Sequence, residues 1–236
     1  MTRSRLRWSD RYARAFPPRL LRLLALPLGR HLNSDDAYRW EATRMLNDAF
    51  CYVRQEGIEG DYAEFGVFEG RLCSAAWQAI ERHGLSRVSM HAYDSFEGLP
   101  AVQGVDEDGP FRKRQFHSPR HVFDAETRKI PADRLTVTEG LFDVSLPRAD
   151  KHRIAVAWVD CDLYESTVPV LDFLTTQLQD GSVLVFDDWF CFHGRPDRGE
   201  QRACREWLDA NPGISLVPYR DFHWAGRSFL VNRDQS

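Results

Sequence analysis

No apolar run in these 236 residues approaches the 18 needed to cross a bilayer, and the leucine-rich stretch Leu20 to Leu28 is broken by Arg22 and Pro27. Neither a membrane span nor a signal peptide is therefore expected, and stable membrane insertion is not. No Pro/Gly/Ser tract of linker type divides the chain, and it contains no internal repeat and no low-complexity segment, so one large α/β domain is the expectation. Five cysteines, an odd number without a CxxC pair, make neither a disulfide framework nor a zinc motif, and point to a reducing, cytoplasmic setting. A dominant charge is lacking too. With 31 basic against 35 acidic residues the net charge is −4, which gives no global nucleic-acid signal.

The charge that is present is unevenly placed. Residues 1–31 hold eight arginines (Arg3, Arg5, Arg7, Arg11, Arg14, Arg19, Arg22 and Arg30) against one acid, Asp10. This basic arm, with a short leucine-rich helix expected inside it, is read as residues 1–33, a helical cap, lid or oligomer contact. An arm on an anionic membrane or nucleic acid is the non-enzymatic alternative. The remainder, residues 34–236, is read as one domain. Its composition, within a chain that is 43% hydrophobic and 28% charged, is that of an ordinary globular protein.

Two stretches carry the chemistry. Val156-Ala157-Trp158-Val159 is apolar without alternation, as in a parallel strand covered on both faces, and it ends in Asp160-Cys161-Asp162. After one helical segment a second such run, Ser182 to Phe186, ends in Asp187-Asp188. In open α/β sheets ligands gather at the carboxyl ends of the strands. Four carboxylates converging there repel one another unless protonated or neutralised by a cation, and an all-oxygen cluster suits a hard ion such as Mg²⁺. If the extended conformation persists past Val159, Asp160 and Asp162 share a face, with Asp162 nearer the acceptor. Asp187 and Asp188, at a strand-to-loop transition, both bend toward one ion. Asp160, Asp187 and Asp188 are thus the expected metal ligands, and Asp162 the general base.

The rest of the chain supplies the frame. A helix is expected over Ser34 to Glu56, then a strand, a glycine turn and a helix across Asp61 to Gly84. Gly66 and Gly70 fit a turn at which backbone approaches a ligand. A strand Val88 to Tyr93 ends at Asp94, where a ribose-binding acid is expected. Glu97 to Gln115 reads as a lid or binding loop. A helix from about Ser118 to Lys129, a strand Leu135 to Thr138, a helix from about Glu165 to Leu178 stopped by Asp180-Gly181, and a helix Glu200 to Ala210 follow. Two final strands, Ser215 to Tyr219 and His223 to Val231, pair antiparallel. His193 is a second candidate base. The sum is a Rossmann-like, doubly wound seven-stranded sheet with an antiparallel last strand.

Taken together, Glu56 to Gly70 (EGIEGDYAEFGVFEG), Asp94-Ser95-Phe96-Glu97-Gly98-Leu99-Pro100, Asp160-Cys161-Asp162-Leu163-Tyr164-Glu165-Ser166-Thr167 and Asp187-Asp188-Trp189 resemble class I S-adenosylmethionine-dependent methyltransferases. Within these they are similar to the macrocin O-methyltransferase family, which methylates sugar hydroxyls of natural products. The resemblance covers roughly residues 34–232. It implies that Glu64, Gly66 and Gly70 border the methionine part of S-adenosylmethionine, and that Asp94 and Ser95 contact its ribose. It also implies that Asp160, Asp187 and Asp188 bind Mg²⁺ and that Asp162 is the base. The expected activity is a metal-dependent O-methyl transfer to a small-molecule glycoside, by a homo-oligomer that binds no nucleic acid. A catechol-type acceptor is the alternative. A nicotinamide-dependent oxidoreductase is less favoured, because the turn lacks the middle glycine of Gly-x-Gly-x-x-Gly.

Overall fold

A computed structural model describes residues 34–234. The basic arm 1–33 and the leucine-rich helix expected in it lie outside the described residues. The chain divides into two compact units, Met1–Trp40 and Glu41–Ser236. The sheet and the site belong wholly to the second.

Helix α1 (Ser34–Glu56) buries Ala42, Met45, Leu46, Ala49, Phe50 and Val53, the three-to-four spacing of one helical face. It stops at Gly57, whose left-handed φ of 68° lets the Ile58 N–H reach back to the Val53 carbonyl at 2.9 Å. Then follow β1 (Asp61–Phe65), α2 (Arg71–Arg82), β2 (Met90–Asp94), α3 (Arg120–Thr127), β3 (Leu135–Glu139), a single-turn α4 (Phe142–Ser145) and β4 (Ile154–Val159). The chain continues with α5 (Tyr164–Leu174), β5 (Leu178–Phe186), α6 (Gly199–Ala210), β6 (Ile214–Phe222) and β7 (Gly226–Arg233).

The seven strands form one sheet in the order β3-β2-β1-β4-β5-β7-β6. The first five in the chain run parallel, and β7 is antiparallel both to β5 and to β6. The expected doubly wound sheet with a reversed last strand is what forms. Strand order changes direction between β1 and β4, which opens a crevice at their carboxyl ends.

Burial explains the layers. Every residue of β4 is buried, as an apolar run without alternation requires. On one face Tyr62, Met90, Val156, Trp158, Val183 and Val185 pack against α1 and α2. On the other, Ala63, Phe65, Ala157, Val159, Leu184 and Phe186 pack against α5 and α6.

Some boundaries depart from the sequence-based expectation. Helix α5 ends at Leu174 rather than near Leu178, and Asp180-Gly181 is not its stop but lies inside β5. Leu178 already pairs with Ile154, and the register shifts before Val156 meets Val183. Gly181 takes φ 83° at that irregularity, the mark of a bulge. β2 starts at Met90, not Val88, and β7 starts at Gly226, which leaves His223 in the turn before it. α3 is shorter than expected at both ends, and α4 was not anticipated.

Candidate active site

The sheet ladder extends one residue past each strand and so fixes the backbones of the acids. Asp160 N–H donates to Phe65 O and Asp187 N–H to Val159 O, each at 2.9 Å. Carboxylate oxygens of Asp160, Asp187 and Asp188 lie within 4.8 Å of one another. The expected metal triad is thereby brought together.

Asp162 arrives differently from its expected route. The extended conformation does not persist as far as Asp162: it has φ 59°, and Leu163 N–H closes a three-residue turn on Cys161 O at 2.6 Å. Such a turn with a positive central φ is rare and strained, and strain of this kind concentrates at functional sites. Its carboxyl is buried and feels the charge of Asp188 first among its neighbours.

Electrostatics follow from the crowding. Burial first, then the charge of Asp187, pushes the Asp188 carboxyl up to about 7. Asp160 lies well above the usual carboxylate range through burial and then Asp187 and Asp188, and Asp162 through burial and then Asp188. Crowding of this kind disfavours the charged forms unless a cation neutralises them.

Three residues that sequence reasoning missed complete the cluster. Glu200, in the first turn of α6, is buried; its Oε2 accepts the Asp188 N–H at 3.0 Å, while its Oε1 has no hydrogen-bond partner. Burial, followed by the charges of Asp188 and Asp187, raises it well above the ordinary glutamate value. His223 Nδ1 accepts the N–H groups of Ala225 at 3.1 Å and Gly226 at 3.2 Å, so its proton sits on Nε2, which faces Asp187 Oδ1 at 3.4 Å. The Cys191 thiol donates to Asp188 Oδ1 at 3.1 Å. An all-carboxylate set with one buried oxygen left unpartnered fits a hard divalent cation.

Beside the acids lies the glycine turn. Gly66 has φ 89°, and a Cβ added to it would lie 2.0 Å from the Asp160 carbonyl oxygen. Gly70, at φ 80°, would place a Cβ 2.7 Å from the Phe123 ring. Both positions therefore require glycine for packing alone. Gly70 begins α2 without a side-chain cap, and no acid occupies the first turn, which leaves N–H donors for an anionic ligand group. Asp94 ties the turn down: its Oδ2 accepts Val67 N–H at 2.8 Å and Phe68 N–H at 2.9 Å, and its Oδ1 accepts Phe96 N–H at 2.7 Å. Ser95 Oγ accepts Glu97 N–H at 3.1 Å. Glu64 is buried beneath the turn, takes a 2.7 Å hydrogen bond from Tyr62 OH, and is pushed up to about 8 by burial above all.

The long loop is anchored rather than loose. Asp106, also unforeseen, is buried and accepts the N–H of Tyr164 at 2.6 Å and of Gly199 at 3.0 Å. It thereby caps both helices that follow the acid pairs. Phe111 and Phe192 rings, 5.5 Å apart, join Leu163, Cys191 and Ala225 in a small core beneath the loop. His193 is exposed in the turn Phe192–Gly194; the histidine that reaches the acids is His223 instead.

Comparison with known proteins shows the family. The chain is 31% identical over 157 residues to the Streptomyces olivaceus 8-demethyl-8-(2,3-dimethoxy-alpha-L-rhamnosyl)-tetracenomycin-C 4'-O-methyltransferase, a match covering 62% of this chain and 60% of that protein. It is 26% identical over 181 residues to the Micromonospora griseorubida mycinamicin III 3''-O-methyltransferase, covering 72% and 63%. The matches thus span about three fifths of these relatives' lengths. Among solved structures, the O-methyltransferase NovP superposes with a TM-score of 0.68 at 21% identity over 82% of this chain and 80% of that one. A calicheamicin methyltransferase gives 0.64 at 25% identity over 94% and 89%. Matched by the family model over residues 41–204, more than half of its length, the chain belongs to the macrocin O-methyltransferase (TylF) family.

Proposed function

We propose that this protein is an S-adenosylmethionine-dependent, Mg²⁺-dependent O-methyltransferase whose acceptor is a sugar hydroxyl of a glycosylated natural product, with residues 34–236 as its catalytic domain. The observation that carries the reading is the placement of Asp162 on its own strained turn, against but distinct from the cluster Asp160, Asp187 and Asp188. A proton acceptor held apart from the ligands of a cation is what activation of an alkyl hydroxyl needs.

Asp160, Asp187 and Asp188 would hold Mg²⁺, which when bound lowers the pKa of a hydroxyl placed against it. Glu64, Gly66 and Gly70, with the open amino end of α2, would hold the methionine part of S-adenosylmethionine, and Asp94 and Ser95 its ribose; the cofactor would supply the methyl group as a sulfonium. Asp162, held on its own turn beside the cluster, would take the acceptor's proton. His223 orients Asp187, and Asp106 keeps the two acid-bearing loops in register through α5 and α6.

The sugar assignment is supported by the relatives' named reactions, 4'-O-methylation of a rhamnosyl-tetracenomycin and 3''-O-methylation of mycinamicin III, and by the suitability of vicinal hydroxyls for bidentate chelation. Glycosylated natural products, nucleotide sugars and catechols are to be screened with a labelled methyl donor. Turnover of glycosides is expected, and exclusive turnover of catechols would overturn the assignment. Calorimetric titration with S-adenosylhomocysteine and with NAD tests the cofactor, because binding of NAD alone would restore the oxidoreductase reading.

A further inference from the structure

At the opposite, amino-terminal edge of the sheet, three side chains meet that methyl transfer does not use. Asp61 opens β1, His91 is the second residue of β2, and His152 lies two residues before β4. Asp61 Oδ1 is fixed by the Ser89 N–H at 2.9 Å. Its Oδ2 is 2.9 Å from His91 Nε2 and 3.9 Å from His152 Nδ1. One ligand atom from each residue can be chosen so that all lie within 4.8 Å of one another. The site is partly preformed, since Asp61 and His91 are placed by paired strands and His91 is only 5% exposed. It also has an outlet: both histidines line a cavity of about 430 Å³ whose wall includes Tyr93, Thr136, Thr138 and Asp150.

We propose that Asp61, His91 and His152 form a second metal site, selective for a borderline divalent transition ion such as Zn²⁺ and distinct from the all-oxygen cluster at the other edge. Two imidazole nitrogens and one carboxylate are the donor set of zinc, not of magnesium. With three protein ligands, the fourth position opens to the cavity and takes water or a small anion. The two rings lie face to face, with centroids 3.9 Å apart and planes 16° apart, so their in-plane lone pairs run side by side. Binding requires one ring to turn. His152, with a side chain 34% exposed in the segment before β4, is free of the strand ladder and turns toward Asp61 while His91 stays put. The bound ion then ties β1, β2 and the entry to β4 together, and by mass action it raises the melting temperature.

The test uses the full chain, stripped with chelator, dialysed and held in excess Mg²⁺ so that the oxygen cluster is occupied. Zn²⁺ is titrated in competition with a chromogenic chelator, and Co²⁺ serves as a spectroscopic substitute. One Zn²⁺ per chain is expected, with visible cobalt d–d bands and no thiolate-to-cobalt charge-transfer band. His152→Ala, a change at a partly exposed position, is expected to weaken Zn²⁺ by at least the roughly 10–100-fold that losing a ligand-orienting partner costs. Asp61→Asn should weaken it as well, with folding of both variants confirmed by circular dichroism, while Asp187→Asn leaves Zn²⁺ affinity unchanged. The proposal is overturned if no Zn²⁺ binds in excess Mg²⁺, if binding survives His152→Ala, if it is lost in Asp187→Asn, or if a thiolate band marks a cysteine as ligand.

Discussion

At the end of β4 the two acids are separated by Cys161, and a strained turn carries the second, whereas at the end of β5 they are adjacent and each has its own partner. Asp187 faces His223, and Asp188 takes the Cys191 thiol while its own amide is held by Glu200. Of the β4 acids, Asp160 has its backbone pinned by the sheet ladder and its carbonyl wedged against Gly66, while Asp162 stands outside the ladder at φ 59°. Similar sequence endings thus give two kinds of acid. Those fixed by the sheet and its partners are suited to hold a cation at constant geometry. The one on a local turn is suited to exchange a proton with a substrate.

The largest expected effect breaks that contrast directly. Asp162→Asn removes the proton acceptor but no ligand, so turnover falls on the order of 10²–10⁴-fold while Mg²⁺ and S-adenosylhomocysteine affinities hold. Asp187→Asn does the reverse: metal affinity falls, and excess Mg²⁺ restores part of the rate. Steady-state kinetics across Mg²⁺ concentrations separate the two. Near wild-type turnover in Asp162→Asn, or full activity of the wild type in EDTA, would remove the metal-plus-base mechanism.

Next comes the support under Asp160. Gly66→Ala meets the Asp160 carbonyl at 2.0 Å and a φ of 89°, so left-handed strain and overpacking together cost about 2–5 kcal/mol. Gly57→Ala, also at positive φ but with nothing within 4 Å of its Cβ, costs only about 1–2 kcal/mol. Denaturant unfolding compares them, and equal losses would mean that the close approach to β4 is not what holds the turn.

A third effect is set by pH. Glu64 is raised from 4.5 to about 8 by burial, so its protonated form is favoured in the folded state. The stability this gives is fully present below about 4.5 and is lost as pH rises through about 8. Glu64→Gln keeps an acceptor for Tyr62 and cannot ionise. The variant is therefore expected to be more stable than the wild type at pH 9, by up to a few kcal/mol, and to lose that advantage near pH 5. A constant difference across pH would show that Glu64 does not titrate in this window.

What could be read from sequence divides along the same physical line. Asp160, Asp162, Asp187 and Asp188 were legible because unbroken apolar runs mark buried parallel strands, and topology sends their ends to one edge. Glu200, His223 and Asp106 were not, because their meaning lies in contacts made across the fold: Asp106 reaches Gly199, 93 residues away, and His223 reaches Asp187, 36 away. The end of α5 was misplaced for a related reason. Leu171, Leu174 and Leu178 keep the three-to-four spacing of a helical face, and only the pairing of Leu178 with Ile154 turns the last of them into strand. Gly66 and Gly70 were legible as a turn, yet the demand for glycine there comes from Asp160 and Phe123 as well as from any ligand.

The smallest effect tests whether Glu200 belongs with the ligands or only with the frame. Its Oε2 holds the Asp188 amide and its Oε1 is buried without a partner, a combination that costs stability and persists where charge is needed nearby. Glu200→Gln keeps the acceptor, puts an N–H donor in place of the unpartnered oxygen, and removes one acid from a crowded cluster. Without metal the variant should be as stable as the wild type or more so, by up to about 1 kcal/mol. Its Mg²⁺ affinity should fall by less than in Asp187→Asn, because a nearby charge is lost rather than a ligand. Thermal melts in EDTA and Mg²⁺ titrations of activity measure the two quantities. A loss of Mg²⁺ affinity equal to that of Asp187→Asn would move Glu200 into the coordination set, and β5 with α6 would then supply three of the oxygens that hold the ion.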